Sequence, residues 1–320
     1  MNNFPTFADV LDARRVISRY LSRTSLYRYS GLCELLDCEV YVKHENHQPI
    51  GAFKVRGGIN LLSRLTNGEK RKGVITASTG NHGQSIAYAA KLFGINATIV
   101  VPEKNNPDKV KAIERLGATI VEQGKDFDDA RVHAEKLSVS KGYRYIHSAN
   151  EPHLIAGVGT IGLEIVEDCP AVDVIFVPVG GGSGASGTSL AAKTVKPAID
   201  VIGVQSEQAP AAYLSWKSGK ALSSDRMETF AEGLATRVGF EMTVAMMKKN
   251  LSDFVLVSDD EIRHAMKLLL EHTHNLVEGA GAASLAGALK MKEKLKGRTV
   301  AMTLSGANVT LSTLHSIVHH

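Results

Sequence analysis

Cysteine is scarce: the 320 residues hold three, Cys33, Cys38 and Cys169. An odd count without a C-x-x-C pair argues against a disulfide framework or a cysteine zinc site, and suits reduced thiols in a cytoplasmic protein. Long apolar runs are also missing; none approaches the ~20 residues of a membrane-spanning helix. The N-terminus, Met1-Asn2-Asn3-Phe4, shows no basic region followed by an apolar one, so no secretory signal is expected. Charge of one sign is not in excess. Lys plus Arg number 37 and Asp plus Glu 33, a formal net charge of +4. No basic stripe with interleaved aromatics marks a nucleic-acid surface. The expected partners are small molecules, anions among them, rather than membranes or nucleic acids. Several catalytic signatures are absent: no H-E-x-x-H, no G-x-S-x-G elbow and no G-x-x-x-x-G-K-[ST] loop. His319 and His320 read as a tag remnant.

What is present is ordinary globular material, 44% hydrophobic and 22% charged, in a length that suggests two domains. Apolar, β-branched runs read as strands at Glu39–Val42, Gly73–Ala77, Ala97–Val101, Thr119–Val121, Val172–Val179, Ile199–Val204 and Thr299–Leu304. Helical patterns fall between them at Gly83–Phe93, Pro107–Leu116, Ala130–Lys141, Gly159–Glu167 and Thr188–Val195. Continuous apolar strands alternating with helices predict an α/β fold with parallel sheets covered on both faces. The block 73–146 carries enough elements to close as a small domain. Residues 1–72 and 147–320 then form a discontinuous larger one, with a ligand cleft between the two.

Four motifs carry chemistry. Gly51-Ala52-Phe53-Lys54-Val55-Arg56-Gly57-Gly58 sets a lysine among apolar residues and glycines, ahead of the helical stripe Ile59, Leu61, Leu62 and Leu65. The positive end of the helix dipole and apolar neighbours both lower an amine pKa. A lowered pKa suits a lysine for Schiff-base formation with a carbonyl. Ser78-Thr79-Gly80-Asn81-His82-Gly83-Gln84-Ser85 follows a strand and opens a helix, so backbone N–H groups face an anion such as a carboxylate. Gly180-Gly181-Gly182-Ser183-Gly184 lies between a buried strand and a helix, where glycines let the backbone wrap a phosphate. Leu304-Ser305-Gly306-Ala307-Asn308 ends the last strand, where the Ser305 hydroxyl can meet a ring nitrogen.

Competing patterns exist. Gly182-x-Gly184-x-x-Gly187 and Gly157-x-Gly159-x-x-Gly162 both match a dinucleotide fingerprint. The second does not follow a strand. The first does, and Asp200 or Glu207 is then the ribose acid of a nicotinamide-dinucleotide oxidoreductase. That reading leaves Lys54 and the Ser78–Gln84 turn without a role. His44, Glu45 and His47 have the look of metal ligands, but no second pair accompanies them, and a solvated or structural role is expected.

The four motifs, in this order and spacing, resemble the fold-type II pyridoxal-phosphate enzymes, the tryptophan-synthase-β-like group. Within it the chain is similar to the threonine/serine dehydratase and serine racemase family, from about Leu26 to Leu311. The resemblance implies two parallel-sheet α/β domains around a cofactor cleft, pyridoxal 5'-phosphate as cofactor, and a homodimer. It implies conversion of an L-β-hydroxy amino acid such as threonine or serine to a 2-oxo acid and ammonia. Serine racemase and 3-hydroxyaspartate dehydratase are the alternatives within the family.

By motif, the resemblance makes Lys54 the covalent cofactor holder and mover of the substrate α-proton, with Phe53 beside the ring. Gly180, Gly181, Gly182, Ser183 and Gly184 hold the phosphate. Asn81 bonds the ring hydroxyl, Ser305 faces the pyridine nitrogen, and Gly233 and Glu278 line the cofactor side. Ser78, Thr79, Gly80, Asn81 and His82 receive the substrate carboxylate. Thr79 takes the position of a racemase serine that acts on the opposite face of Cα. A serine rather than an acid at the ring nitrogen implies a less electron-poor ring, favouring prompt loss of a β-hydroxyl. The chain departs from the family at Ile50 and Ala52, which replace hydroxyl residues, at Ser183 and Ala307, which replace glycines, and at Ala149, small for a pocket wall. Gln205 and Ala211 stand where relatives carry metal-binding carboxylates, so no metal is expected.

Overall fold

The structure is a computed structural model that describes residues 4–319. The first three residues and His320, which fall within the expected larger domain, lie outside the described residues. The chain forms strands β1 (Leu26–Arg28), β2 (Glu39–His44), β3 (Val74–Ala77), β4 (Ala97–Val101), β5 (Thr119–Glu122), β6 (Arg144–Tyr145), β7 (Val174–Pro178), β8 (Asp200–Ser206), β9 (Asp253–Val257) and β10 (Thr299–Leu304). They make two sheets, one in the order β1-β2-β10-β7-β8-β9 and one in the order β5-β4-β3-β6. Only the edge pair β1–β2 is antiparallel; the rest are parallel.

Side-chain alternation explains why the central strands read as unbroken apolar runs. Val174, Phe176, Ile202, Val204, Val300 and Met302 pack into one core with helices Asp259–Thr273 and Gly279–Lys290. Ile175, Val177, Val201 and Ala301 point the other way, into a core with helices Pro152–Asp168 and Ser183–Val195. Both faces are buried, so both sets of alternating positions must be apolar.

The order of strands places the site. In the larger sheet, the chain runs from β7 outward through β8 to β9, while β10 lies on the other side of β7. In the smaller sheet, it runs from β3 through β4 to β5, while β6 lies on the other side of β3. At such reversals the loops after neighbouring strands diverge and leave a crevice at the carboxyl ends. The glycine loop follows β7, Ser305 follows β10, the Ser78 turn follows β3, and His147 follows β6.

Several boundaries differ from the sequence reading. Ser183 and Gly184 are not loop but the first residues of helix Ser183–Val195, and Asn81 and His82 open helix Asn81–Phe93. The helix expected over 159–167 runs from Pro152 to Asp168. It therefore contains the whole Gly157/Gly159/Gly162 pattern, whose role is packing. A Cβ on Gly157 would lie 2.7 Å from the Arg56 carbonyl, and one on Gly162 would strike the Thr188 carbonyl. Gly187 is equally constrained, 2.5 Å from the Ile155 carbonyl. Helices Lys54–Ser63, Pro152–Asp168 and Ser183–Val195 thus meet backbone against backbone.

A buried ion group lies where the first two of these helices meet β2. Arg56 donates from Nε and Nη2 to Glu45 at 2.8 Å each, and from Nη1 and Nη2 to Glu164 at 2.6 and 2.8 Å. Lys43 Nζ is 2.7 Å from Glu164 and donates to the Thr24 carbonyl at 2.7 Å. Glu45 is therefore an ion-pair partner of Arg56, while His44 bonds Tyr29 and Asn46, and His47 bonds Asn275. Burial alone would raise the Glu164 carboxyl, but the Arg56 and Lys43 charges overcome it and hold the pKa below the usual range. A lowered folded-state pKa contributes stability above the ordinary carboxylate pKa, and that contribution is lost as pH falls through the lowered one. Glu164→Ala leaves the buried Arg56 and Lys43 with Glu45 as their one buried carboxylate and is expected to destabilise the fold by about 3 kcal/mol in urea denaturation. Arg14→Ala, which removes an exposed pair with Glu167, is expected to change stability by less than about 1 kcal/mol. Equal small effects from both would show that the buried group contributes little.

Candidate active site

Lys54 is the first residue of helix Lys54–Ser63. The segment before it runs beside the end of β10: Phe53 N donates to the Ser305 carbonyl at 2.9 Å, and Ala307 N to the Gly51 carbonyl at 2.8 Å. Behind it, Ser85 Oγ donates to the Lys54 carbonyl at 2.6 Å. The lysine is thus held from the larger sheet on one side and from helix Asn81–Phe93 on the other. Its Nζ donates to the Ser148 carbonyl at 3.0 Å and to Ser183 Oγ at 3.2 Å, and lies 5.4 Å from the Phe53 ring centroid. Burial with no facing carboxylate pushes the amine down to about 8. A substantial neutral fraction then exists near neutral pH, which is the nucleophilic form.

The glycine loop reaches Lys54 through Ser183. The walls crowd each glycine, Gly180 most of all. A Cβ on Gly180 would strike the Gly233 carbonyl; one on Gly181 would lie 3.0 Å from Ala149 Cβ and from the Phe240 ring. Gly182 holds φ +88° and caps helix Ser183–Val195, and Gly184 faces the Phe53 ring, 3.3 Å from its added Cβ. The first N–H groups of that helix have no intrahelical acceptor. With the glycine backbone before them they make a cradle open to a phosphate.

Across the cleft, the Ser78 turn presents a second helix N-terminus. Gly80 N donates to Ser78 Oγ at 3.3 Å, and the N–H groups of Asn81, His82 and Gly83 begin the helix without intrahelical acceptors. The His82 ring is buried, with Nε2 3.1 Å from Thr76 Oγ1 and Nδ1 without a partner among the described residues, and burial plus the neighbouring Lys54 charge depress it to about 3, so the imidazole is neutral.

Asn81 is fixed by two partners from the larger sheet's side of the cleft. Its Oδ1 accepts from Asn308 Nδ2 at 2.7 Å, and its Nδ2 donates to Glu278 Oε1 at 2.8 Å. Asn308 Nδ2 also donates to the Ile50 carbonyl at 2.9 Å. Burial raises the Glu278 carboxyl to about 7, against the pull of Asn81 and Lys109. Ser305, Gly306 and Gly233 gather here too: a Cβ on Gly306 would sit 2.7 Å from Glu278, and one on Gly233 2.7 Å from Ala280 Cβ. Lys109, on helix Pro107–Glu114, reaches across to Glu232 at 2.5 Å.

Sequence reading missed four contributors. Ser148 gives a carbonyl, Asn308 orients Asn81, and His147 and Phe240 form a wall with their rings 4.6 Å apart at 84°. Asn308 had a signal within the Leu304–Asn308 motif, and His147 and Ser148 had one beside the pocket-side Ala149; Phe240 lies far from any of them.

A depressed lysine, a phosphate cradle in contact with it and an anion-binding helix start opposite define an enzyme that carries a phosphorylated carbonyl cofactor on lysine. The comparisons agree. A family described as pyridoxal-phosphate dependent enzyme matches residues 17–306, and the chain belongs to that family. L-threonine ammonia-lyase of Thermotoga maritima is 40% identical, covering 98% of this chain and 78% of that protein. L-threo-3-hydroxyaspartate ammonia-lyase of Saccharomyces cerevisiae is 37% identical over 98% of this chain and 96% of its own. The structure of serine racemase from Dictyostelium discoideum superposes with a TM-score of 0.90 at 35% identity, over 96% of this chain and 99% of that one. The fold-type II architecture and the cofactor are those expected. The nicotinamide reading falls with the family match; of its two acids, Asp200 begins β8 at the end remote from the glycine loop and bonds Arg298 at 2.8 Å.

The cradle has no room for a side chain at Gly180. Gly180→Ala is expected to weaken pyridoxal-phosphate binding by at least ~10-fold, read by titrating the apoprotein and following the visible absorption band. Unchanged affinity would show that the loop shifts freely.

Proposed function

We propose that the protein is a dehydratase that converts an L-β-hydroxy amino acid, threonine or serine foremost, to a 2-oxo acid and ammonia. The observation that carries the reading is Lys54 Nζ against Ser183 at the glycine cradle, on a backbone tied through Ser85 to the helix that opens at the Ser78 turn, with Ser305 rather than an acid at the end of β10. Two relatives named as ammonia-lyases support it.

Bound pyridoxal phosphate supplies the electron sink that makes the α-proton removable. The protein's part is positioning and proton transfer. Gly180, Gly181, Gly182, Ser183 and Gly184 would hold the phosphate. Phe53 and Asn81, the latter oriented by Asn308 and Glu278, would hold the ring with its hydroxyl, and Ser305, Gly233 and Glu278 would hold the side that bears the ring nitrogen. Ser78, Thr79, Gly80, Asn81 and the His82 backbone take the substrate carboxylate. Lys54 moves the α-proton. Thr79, half-buried on the turn, is the hydroxyl able to serve the opposite face, which keeps racemisation as a minor reaction.

The units are residues 73–146 as small domain and 1–72 with 147–320 as large domain, acting as a homodimer in the cytoplasm. None of the helices among the described residues is long and apolar enough to cross a membrane. A divalent ion is not required. Gln205 is buried, with Oε1 accepting from Tyr213 N at 2.9 Å and Nε2 3.4 Å from the Leu234 carbonyl, and a hard cation prefers charged oxygen ligands.

A panel of L-threonine, L-serine and L-threo-3-hydroxyaspartate, assayed for ammonia and 2-oxo acid, tests the reading. Release from at least one is expected; accumulation of D-serine faster than pyruvate from L-serine would make the protein a racemase instead. Borohydride reduction and peptide mapping should find the cofactor on Lys54, and Lys54→Ala should fold but not turn over. EDTA should leave activity and melting temperature unchanged, whereas a loss of both restored by magnesium would contradict the metal-free assignment.

A further inference from the structure

His147 follows β6 and is followed by Ser148, whose carbonyl touches Lys54 Nζ. Its loop is pinned. Thr76 Oγ1 donates to the Ile146 carbonyl at 2.8 Å, and Ala149 and Asn150 both donate their backbone N–H to His147 Nδ1, at 3.0 and 2.9 Å. A ring nitrogen that accepts two N–H groups is unprotonated, so the proton of the neutral ring is on Nε2. The groups that act on the ring are Lys54, Glu135 and Arg131; burial, then the Lys54 charge, depress it to about 4, and it stays neutral at physiological pH. The half-buried ring stands edge-on to Phe240, and Nε2 makes no hydrogen bond among the described residues. It is a fixed N–H donor without a protein acceptor, one residue from the carbonyl that holds the catalytic amine.

The wall around it has a defined place in the reaction. A substrate whose α-carbon is within reach of Lys54 and whose carboxylate lies on the Ser78 turn has its β-carbon left to occupy the space toward the cradle and the 147–149 loop. Ala149 and Phe240 close on Gly181, each 3.0 Å from a Cβ built there, and the His147 ring packs on Phe240 at the edge of that wall. Ala149 and Phe240 are apolar; His147 offers the polar contact. We propose that His147 Nε2–H donates a hydrogen bond to the β-oxygen of the substrate and so selects a β-hydroxyl leaving group. The inference rests on the dehydratase reading above. His147 keeps its proton throughout and only holds the oxygen: Lys54 takes the α-proton and passes it to the departing oxygen, the carbon–hydrogen electron pair becomes the Cα=Cβ bond, and the carbon–oxygen pair leaves with the oxygen as water. A β-ammonium group, with donors only, meets this N–H unfavourably.

The test compares L-threonine with β-chloro-L-alanine, whose chloride leaves without needing a hydrogen-bond donor. His147→Asn is the variant of choice, because Asn Oδ1 replaces Nδ1 as acceptor for the Ala149 and Asn150 N–H groups while Nε2–H is lost. The expected result for holoenzyme is a fall in kcat/KM for L-threonine on the order of 10–100-fold, with β-chloro-L-alanine elimination, cofactor absorbance and melting temperature little changed. Equal losses on both substrates would make His147 structural, and no loss on either would remove it from the pocket; each overturns the proposal. Nitrogen NMR of histidine-labelled holoenzyme gives a readout independent of turnover: the Nε2–H tautomer is expected, and the Nδ1–H tautomer overturns the proposal. If the unmodified enzyme released no 2-oxo acid from any β-hydroxy amino acid yet eliminated chloride from β-chloro-L-alanine, the dehydratase reading itself would be the one to fail.

Discussion

The double fork of Arg56 is the interaction on which the site depends. Successive residues of an α-helix turn by ~100°, so positions 54 and 56 face nearly opposite directions. Fixing Arg56 between Glu45 and Glu164 therefore fixes Lys54 toward the cleft. Burying four charges is costly unless each is paired and hydrogen-bonded. Here Lys43 and Arg56 balance Glu45 and Glu164, with Thr24 and Thr160 taking remaining positions around the guanidinium. Such a group has few alternative geometries, and rotation of the helix would break several bonds at once.

Chain topology does the rest. Each sheet reverses its strand order once at a central strand, β7 in one and β3 in the other. Both reversals open toward the same cleft, so short loops after four strands supply the glycine cradle, Ser305, the Ser78 turn and the His147 wall. Glycine at these positions follows from the closeness of the opposite wall rather than from flexibility, as the Gly180 contact with Gly233 illustrates.

Much of this was legible in the sequence because buried parallel strands leave a plain signal. Val74–Ala77, Ala97–Val101 and Thr299–Leu304 are uninterrupted apolar or β-branched runs, and the motifs sit directly at such strand ends. β1, β6 and β9 escaped notice for the opposite reason. Leu26–Arg28 and Arg144–Tyr145 are too short to show a period, and Asp253–Val257 is an edge strand only partly buried. The ion group was illegible because Lys43, Glu45, Arg56 and Glu164 look like any exposed charged residues until the fold buries them. The state of His147 was likewise hidden, since its tautomer is set by two backbone donors that follow it in a turn. The second dinucleotide fingerprint was set aside for want of a preceding strand, and the structure shows what its glycines do instead: they let helices cross.

That crossing has a mechanical consequence. Where helices touch through side chains, rotamers adjust and absorb small displacements. Between Gly157, Gly162 and Gly187 and their opposing carbonyls there are no rotamers to adjust. The joint is stiff, and the helix that begins at Lys54 and the one that begins at the phosphate cradle behave as two arms of a single lever. A force applied at the phosphate is delivered to the lysine as displacement, with the third helix as fulcrum. The distance between the amine and the cradle is then a property of the whole frame.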